Sequence, residues 1–260
     1  MSKARIDAAL AERGLFPSRS AAAGAVRAGE VRVGADGPVA LRPSQLVDDE
    51  TELVVEPGPR FVSRGGIKLD NALAALGIDV EGRDCLDVGA STGGFTDCLL
   101  QRGAARVAAL DVAYGQLDLR MREDPRVTVL ERINARAVEA ADLPFQPQMA
   151  TIDVSFISLT KVLPAVARCL ASGGEILAMV KPQFELGRER VRKGVVRDGA
   201  DRREAIVTVA RSATELGLPV RGFAASGLPG PKGNRETFVW CGGSGEPVAD
   251  LEAAAREVEQ

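Results

Sequence analysis

The sharpest chemical signal in this chain is CLDVGASTGGFTDCLL, residues 85–100. An apolar stretch runs into Asp87-Val88-Gly89, the small residues Ala90 and Ser91 begin a turn, and Gly93, Gly94 and Phe95 mark where a helix is predicted to start. Such a turn lets the backbone approach a ligand closely and leaves amides at a helix start free to hold it. Asp111 follows Gly89 by 22 residues and ends the next strand-like segment, a spacing suited to a carboxylate that accepts hydrogen bonds from ribose hydroxyls. The dinucleotide fingerprint places a second glycine against pyrophosphate, and this chain has Ser91 there. A nucleoside ligand without a diphosphate therefore fits better than NAD, and S-adenosylmethionine is such a ligand. Taken alone, the loop reads equally well as a tight structural connection; the acidic strand end at the right distance favours the nucleoside.

The chain has no histidine, which excludes a Ser-His-Asp hydrolase, a Cys-His protease, a two-His zinc enzyme and a histidine proton relay. Acid–base work falls to Lys, Asp, Glu or Tyr. Cys85, Cys98, Cys169 and Cys241 are widely spaced, with no pair suited to a metal site or a redox dithiol, so no metal is expected and a reducing cytoplasm is the default. The longest runs without a charged residue are ten, Leu143 to Ile152 and Gly222 to Pro231, against about 20 apolar residues for a bilayer span.

The elements that must position this chemistry follow from patterning. Strand candidates are Asp84 to Val88, Arg106 to Asp111, Val127 to Leu130, Met149 to Val154, Glu175 to Val180, Val220 to Ala225 and Thr237 to Cys241. Helix-like stretches such as FTDCLLQRGA and LPAVARCLASGG alternate with them, which predicts an α/β fold with a largely parallel sheet covered on both faces. Ahead of them, two short helical patterns, one closed by Gly14 and one running from a Ser18 cap to Ala28, precede the small strands VRV, PVAL and ELVV. Glu56-Pro57-Gly58-Pro59 breaks all periodicity. The expected organisation is a small α+β domain over 1–56, a linker over 57–63 and a larger domain over 64–260. The net charge of −3 hides a +3 stretch over residues 1–32, a +4 stretch over 181–203 and a −4 tail over 246–260. Local basic patches of this kind permit a polyanionic partner.

With these residues on the page, the chain resembles the TlyA family, ribosomal RNA 2′-O-methyltransferases also known as haemolysins. RIDAALAERGLFPSRSAAAGAVRAGEVRV resembles the S4-like RNA-binding domain, and FVSRGGIKL, LDVGASTGGFTDCLL, LDVAYGQL, ERINAR, DVSFISL, VKPQFE and GNRETF match the methyltransferase part in order. The resemblance implies a Rossmann-like class I methyltransferase fold with a seven-stranded sheet. It is also similar to the FtsJ-type ribose methyltransferases, whose Lys-Asp-Lys-Glu set falls on Lys68, Asp153, Lys181 and Glu236. It implies Asp111 at the cofactor ribose and Asn134 near its adenine. FtsJ-type relatives commonly carry Asp at the latter position.

A methyl on a sulfonium is already activated, so transfer needs alignment with a nucleophile and relief of the nucleophile's proton. An uncharged lysine amine can take that proton. Burial and a neighbouring ammonium favour the uncharged form, whereas carboxylates oppose it. The role is assigned to Lys181, with Lys68 as its cationic neighbour and Asp153 and Glu236 holding the two ammonium groups. Arg5, Arg19, Arg60 and Arg64 suit phosphate contacts that position RNA without reading its sequence. Phe156, three residues beyond Asp153, suits either stacking on a displaced nucleotide or a core position beneath its loop. The expected reaction is 2′-O-methylation of ribosomal RNA within ribosomal subunits, at cytidine of the 16S RNA, the 23S RNA or both. The competing readings are a membrane-active haemolysin and a non-catalytic RNA-binding module.

Overall fold

The structure, a computed structural model, describes residues 3–259 except 28, 36, 57, 58, 192 and 231. It divides into two units, Met1–Arg60 and Phe61–Gln260. The first contains β1 (Lys3–Arg5), α1 (Ile6–Glu12), α2 (Arg19–Arg27), β2 (Val31–Val33), β3 (Leu46–Asp48) and β4 (Leu53–Val55). Two antiparallel pairs, β1 with β3 and β2 with β4, accompany a helix pair whose Ile6, Leu10, Ala22 and Val26 form a small core with Val31 and Val47. Ser18 Oγ accepts from Ala21 N at 3.1 Å, which starts α2 where the sequence placed a cap. The expected end of that helix, residue 28, lies outside the described residues, as do residues 57 and 58 of the expected linker. PVAL does not become a strand. Only Val39 bridges to Arg32, because Pro38 has no amide to donate and Leu41 points into solvent.

The second unit runs α3 (Arg64–Leu76), β5 (Asp84–Val88), α4 (Gly94–Gln101), β6 (Arg106–Asp111), α5 (Leu119–Glu123), β7 (Val127–Glu131), β8 (Met149–Ile152), α6 (Leu163–Cys169), β9 (Glu175–Val180), α7 (Pro182–Glu185), α8 (Gly199–Glu215), β10 (Val220–Ala225), β11 (Thr237–Gly242) and α9 (Leu251–Val258). Its seven-stranded sheet has the order β10-β11-β9-β8-β5-β6-β7, and β11 alone is antiparallel to its neighbours. This is a Rossmann-like methyltransferase fold. Strand alternation sorts the core into two layers. Leu86, Val88, Leu110 and Ile152 pack toward α6 and α8, while Cys85, Val107, Ala109 and Met149 pack toward α3 and α4.

The acidic stretch over 246–260 is not an extended tail. Asp250 Oδ1 accepts from Ala253 N at 2.9 Å, and the helix that follows buries Ala255 against α8. Leu251 and Val258 lie on that same packed side at helical spacing, a stripe that a charge count conceals.

Candidate functional site

The chain lays down β5, β6 and β7 toward one edge and then returns to place β8 on the other side of β5. In open α/β sheets the crevice at the carboxyl ends beside such a reversal is where ligands bind. Gly89 leaves β5 with φ +86°, and a Cβ there would stand 2.6 Å from Asp153 O. Only glycine lets the ends of β5 and β8 approach so closely. Gly89 N and Ala90 N both donate to Leu110 O, at 2.8 and 3.1 Å, hooking the turn to β6. Ser91 takes φ +48° without being glycine, and Asp111 Oδ2 accepts from its amide at 2.8 Å. Asp111 Oδ1 accepts from Ala113 N at 2.7 Å. Each carboxylate oxygen keeps a further lone pair for a ligand.

A cavity of about 550 Å³ opens at this point, within the range of about 300–1,000 Å³ usual for small-molecule sites. Leu110, Val112, Ile133, Ile157 and Val162 give it apolar walls, and Asp111, Gln116, Asn134 and Asp153 supply a few polar groups. Asn134 Oδ1 is taken by Arg136 N at 3.0 Å, which leaves the amide nitrogen for a ligand. A carboxylate at one end, an amide beside an apolar slot and a glycine cradle fit the adenosine part of S-adenosylmethionine.

Not every residue of the glycine loop reaches this cavity. Gly89, Ser91, Asp111 and Asn134 line it; Asp87, Ala90, Gly93, Gly94 and Phe95 do not. Phe95 packs in the core, its ring centroid 5.9 Å from that of Phe238. A Cβ on Gly93 would meet Leu117 Cδ1 at 2.8 Å and one on Gly94 would meet Ser63 Oγ at 2.2 Å, so these glycines serve close packing of α4. Asp87 is fully buried on the α4 side of β5, where Thr96 Oγ1 donates to its Oδ2 at 2.7 Å and Oδ1 has no partner among the described residues. Burial pushes its carboxyl up to about 7, against the pull of the Thr96 bond and with a smaller push from Asp153.

The four predicted catalytic residues form two ion pairs, and of the four only Asp153 lines this cavity. Lys68 Nζ donates to Glu236 Oε2 at 2.5 Å, and both residues are buried, 8% and 3% exposed. Lys181 Nζ lies 2.5 Å from Asp153 Oδ1, close in charge without hydrogen-bond alignment, and donates to Ser155 Oγ at 3.0 Å. Asp153 follows β8, Lys181 follows β9, and Glu236 precedes β11. Because β11 is antiparallel to β9 with Thr237 opposite Val180, Glu236 and Lys181 are the next facing positions and share one side of the sheet. Lys68 arrives from α3. The four residues thus form a string along one rim, ending at Asp153 in the cavity wall.

Phe156 is no core residue: it is 92% exposed, with φ +64°. Its ring centroid lies 5.2 Å from that of Phe184, and both rings border a second cavity of about 560 Å³ that shares Arg136, Phe156 and Ile157 with the first. Left-handed backbone at a bulky residue is costly and clusters at functional sites. Ser155, Ala113, Gln116 and Arg136 were not singled out from sequence. A findable signal existed, since Ala113 and Ser155 each follow a strand-end aspartate by two positions.

Of the four arginines expected at phosphates, Arg5, Arg19 and Arg60 belong to the first unit and Arg64 to the second. Arg5 closes β1 rather than lying on a helix, and Arg19 opens α2. Both reach the buried Asp7, with Arg5 Nη2 at 2.8 Å and Arg19 Nε at 3.3 Å. Their guanidinium groups, the Arg5 hydrogen bond foremost, hold the Asp7 carboxyl below the usual range. Arg60 is exposed at the end of the first unit. Arg64, exposed at the start of α3, donates from Nη2 to Pro229 O at 3.0 Å. Among the described residues no helix is long and apolar enough to cross a membrane, and no cluster of three or more His, Cys, Asp or Glu could hold a metal ion.

Residues 61–243 match the family described as FtsJ-like methyltransferase. The chain is 49% identical, over 92% of its length and 89% of the relative's, to the 16S/23S rRNA (cytidine-2'-O)-methyltransferase TlyA of Mycobacterium tuberculosis. It is 37% identical, over 89% of its length and 97% of the relative's, to Hemolysin A of Brachyspira hyodysenteriae. Among solved structures it is similar to a candidate hemolysin from Streptococcus thermophilus, with 41% identity, a TM-score of 0.75, and coverage of 100% of this chain and 95% of the other.

Proposed function

This chain belongs to the FtsJ-like methyltransferase family, in its TlyA branch, and from that premise we propose that it methylates ribose 2′-hydroxyls of cytidine in 16S ribosomal RNA, 23S ribosomal RNA or both, within ribosomal subunits. The observation that carries the reading is the string Lys68–Glu236, Lys181–Asp153 along the rim of a nucleoside-sized cavity. Bound S-adenosylmethionine supplies a methyl already activated on a sulfonium. Asp111 and Asn134 hold its adenosine part. Lys181, as the uncharged amine, contacts the attacking 2′-hydroxyl and takes its proton as the oxygen accepts the methyl, while Asp153 and Ser155 fix the amine in place. Glu236 anchors Lys68 as the neighbouring cation.

Phe156 stacks on the target nucleotide once it is displaced from its helix. Its exposure and its place between the two cavities support this role. Residues 1–56 are an S4-like RNA-binding domain, and the methyltransferase domain begins at Phe61 rather than after a linker over 57–63, since Phe61 is buried in its core. Arg5, Arg19, Arg60 and Arg64 make phosphate contacts. The test is transfer of a radiolabelled methyl from S-adenosylmethionine to subunits isolated from cells lacking the gene, followed by mapping of the modified positions. Label on ribose of a cytidine is the expected result; label on a base, or none on either subunit, would refute the proposal.

A further inference from the structure

Two segments carry the reactive groups of this site, and they leave different strands. Residues 153–159 follow β8 and hold Asp153, Ser155 and Phe156; residues 181–185 follow β9 and hold Lys181, Phe184 and Glu185. No strand ladder joins them beyond Ile152 and Ala178, so side chains must set their spacing. Glu185 does this most directly. Ser158 Oγ donates to Glu185 Oε2 at 2.5 Å, and Leu159 N donates to Glu185 Oε1 at 2.9 Å. Both oxygens of one carboxylate are therefore spent on the opposite segment.

We propose that Glu185 is a positioning residue for methyl transfer, clamping the turn that carries Lys181 to the loop that carries Ser155 and Phe156; the assignment rests on the reaction proposed above. Burial raises the Glu185 carboxyl above its usual range, with the Ser158 and Leu159 bonds opposing. The ion pairs of the described residues do not include Glu185. A partly buried carboxylate paired only with neutral donors is an expensive way to hold a surface turn. What it secures is visible in the backbone. Phe156 sits at φ +64°, a conformation that persists only where the surroundings over-determine it. Lys181 grips Ser155 on one side of Phe156 and Glu185 grips Ser158 and Leu159 on the other, while Phe184 meets the Phe156 ring. Without the clamp the loop relaxes, and Ser155 leaves Lys181 as Phe156 leaves its strained position.

The experiment measures kcat and KM for methyl transfer to unmodified ribosomal subunits with the full chain, its Glu185→Ala, Glu185→Gln and Ser158→Ala variants, and Glu185→Ala combined with Phe156→Ala. Glu185→Ala is expected to lower kcat by about tenfold to a hundredfold with KM within about threefold, in keeping with a loss of alignment. Glu185→Gln, which keeps an acceptor for Leu159 N, should recover most of the loss, and Ser158→Ala should lose only a few-fold. In the Phe156→Ala background the Glu185→Ala loss should shrink to about threefold or less, because contacting residues couple. Wild-type kcat in Glu185→Ala, a rise in KM alone, or full additivity with Phe156→Ala would overturn the assignment. Should Glu185→Ala fail to fold, unchanged kcat in both Glu185→Gln and Ser158→Ala would do the same. Absence of transfer by the wild-type chain refutes the reaction itself, a separate failure.

Discussion

Lys181 has two partners, the Asp153 carboxylate and the Ser155 hydroxyl, and both line the cavity whereas Lys181 itself does not. Lys181→Ala should therefore abolish methyl transfer, a loss of about a hundredfold or more, while S-adenosylmethionine affinity by calorimetry stays within about twofold. Normal turnover would remove the residue from the mechanism. Asp87 makes a prediction of another kind. A carboxyl raised to about 7 in the fold binds its proton more tightly there than in the unfolded chain, where it titrates near 4. The stability it contributes is full below that lower value and drains away as pH rises through 7. Asp87→Asn, which keeps an acceptor for Thr96, should flatten the decline in melting temperature between about pH 4 and 7; an unchanged slope would show that Asp87 is not its source. At this scale the charged rim was legible only because ordered motifs carried it. Asp87 could not be placed, because strand parity separates two faces without saying which one meets a ligand.

Elements were more legible than side-chain directions. All seven strands of the sheet lie within two residues of their expected bounds, since each is a short, mainly apolar run bounded by turn residues. β1 and β3 were invisible: KAR and LVD are too short and too polar to alternate, and pairing with each other is what makes them strands. α9 was masked by its charge. The antiparallel course of β11 matters most for function, for it brings Glu236, at the start of its strand, to the rim where β8 and β9 end. The turn after β5 is the most constrained connection at that rim. Gly89→Ala would press a methyl against Asp153 O in a left-handed backbone, and we expect a loss of about 1–3 kcal/mol in denaturant melts together with weakened S-adenosylmethionine binding. A variant that matches the wild type in both would mean that the ends of β5 and β8 have more room than the geometry gives them.

Across the whole molecule, charge is segregated, and the sum of −3 says little about partners. The −4 of residues 246–260 is partly neutralised on and around α9, where Arg211 pairs with Glu252 and Arg202 with Glu259 just past the helix end. The +3 of residues 1–32 belongs to the first unit, whose Arg5 and Arg19 remain exposed even while they touch Asp7. An acidic protein organised this way should still bind ribosomal subunits with affinity that falls as salt rises. Arg19 is the cleaner residue to test, because Arg5 keeps Asp7 paired after Arg19 is removed. Arg19→Ala should raise KM for subunits and make the slope of log K against log salt shallower by about 0.7–0.9, the share of one phosphate contact. Its kcat should not change, since Arg19 belongs to a different unit from Lys181 and Asp153. An unaltered KM and salt slope would return Arg19 to the solvated surface of its helix, and the phosphate contacts would then fall to Arg5, Arg60 and Arg64 or to the basic stretch over 181–203.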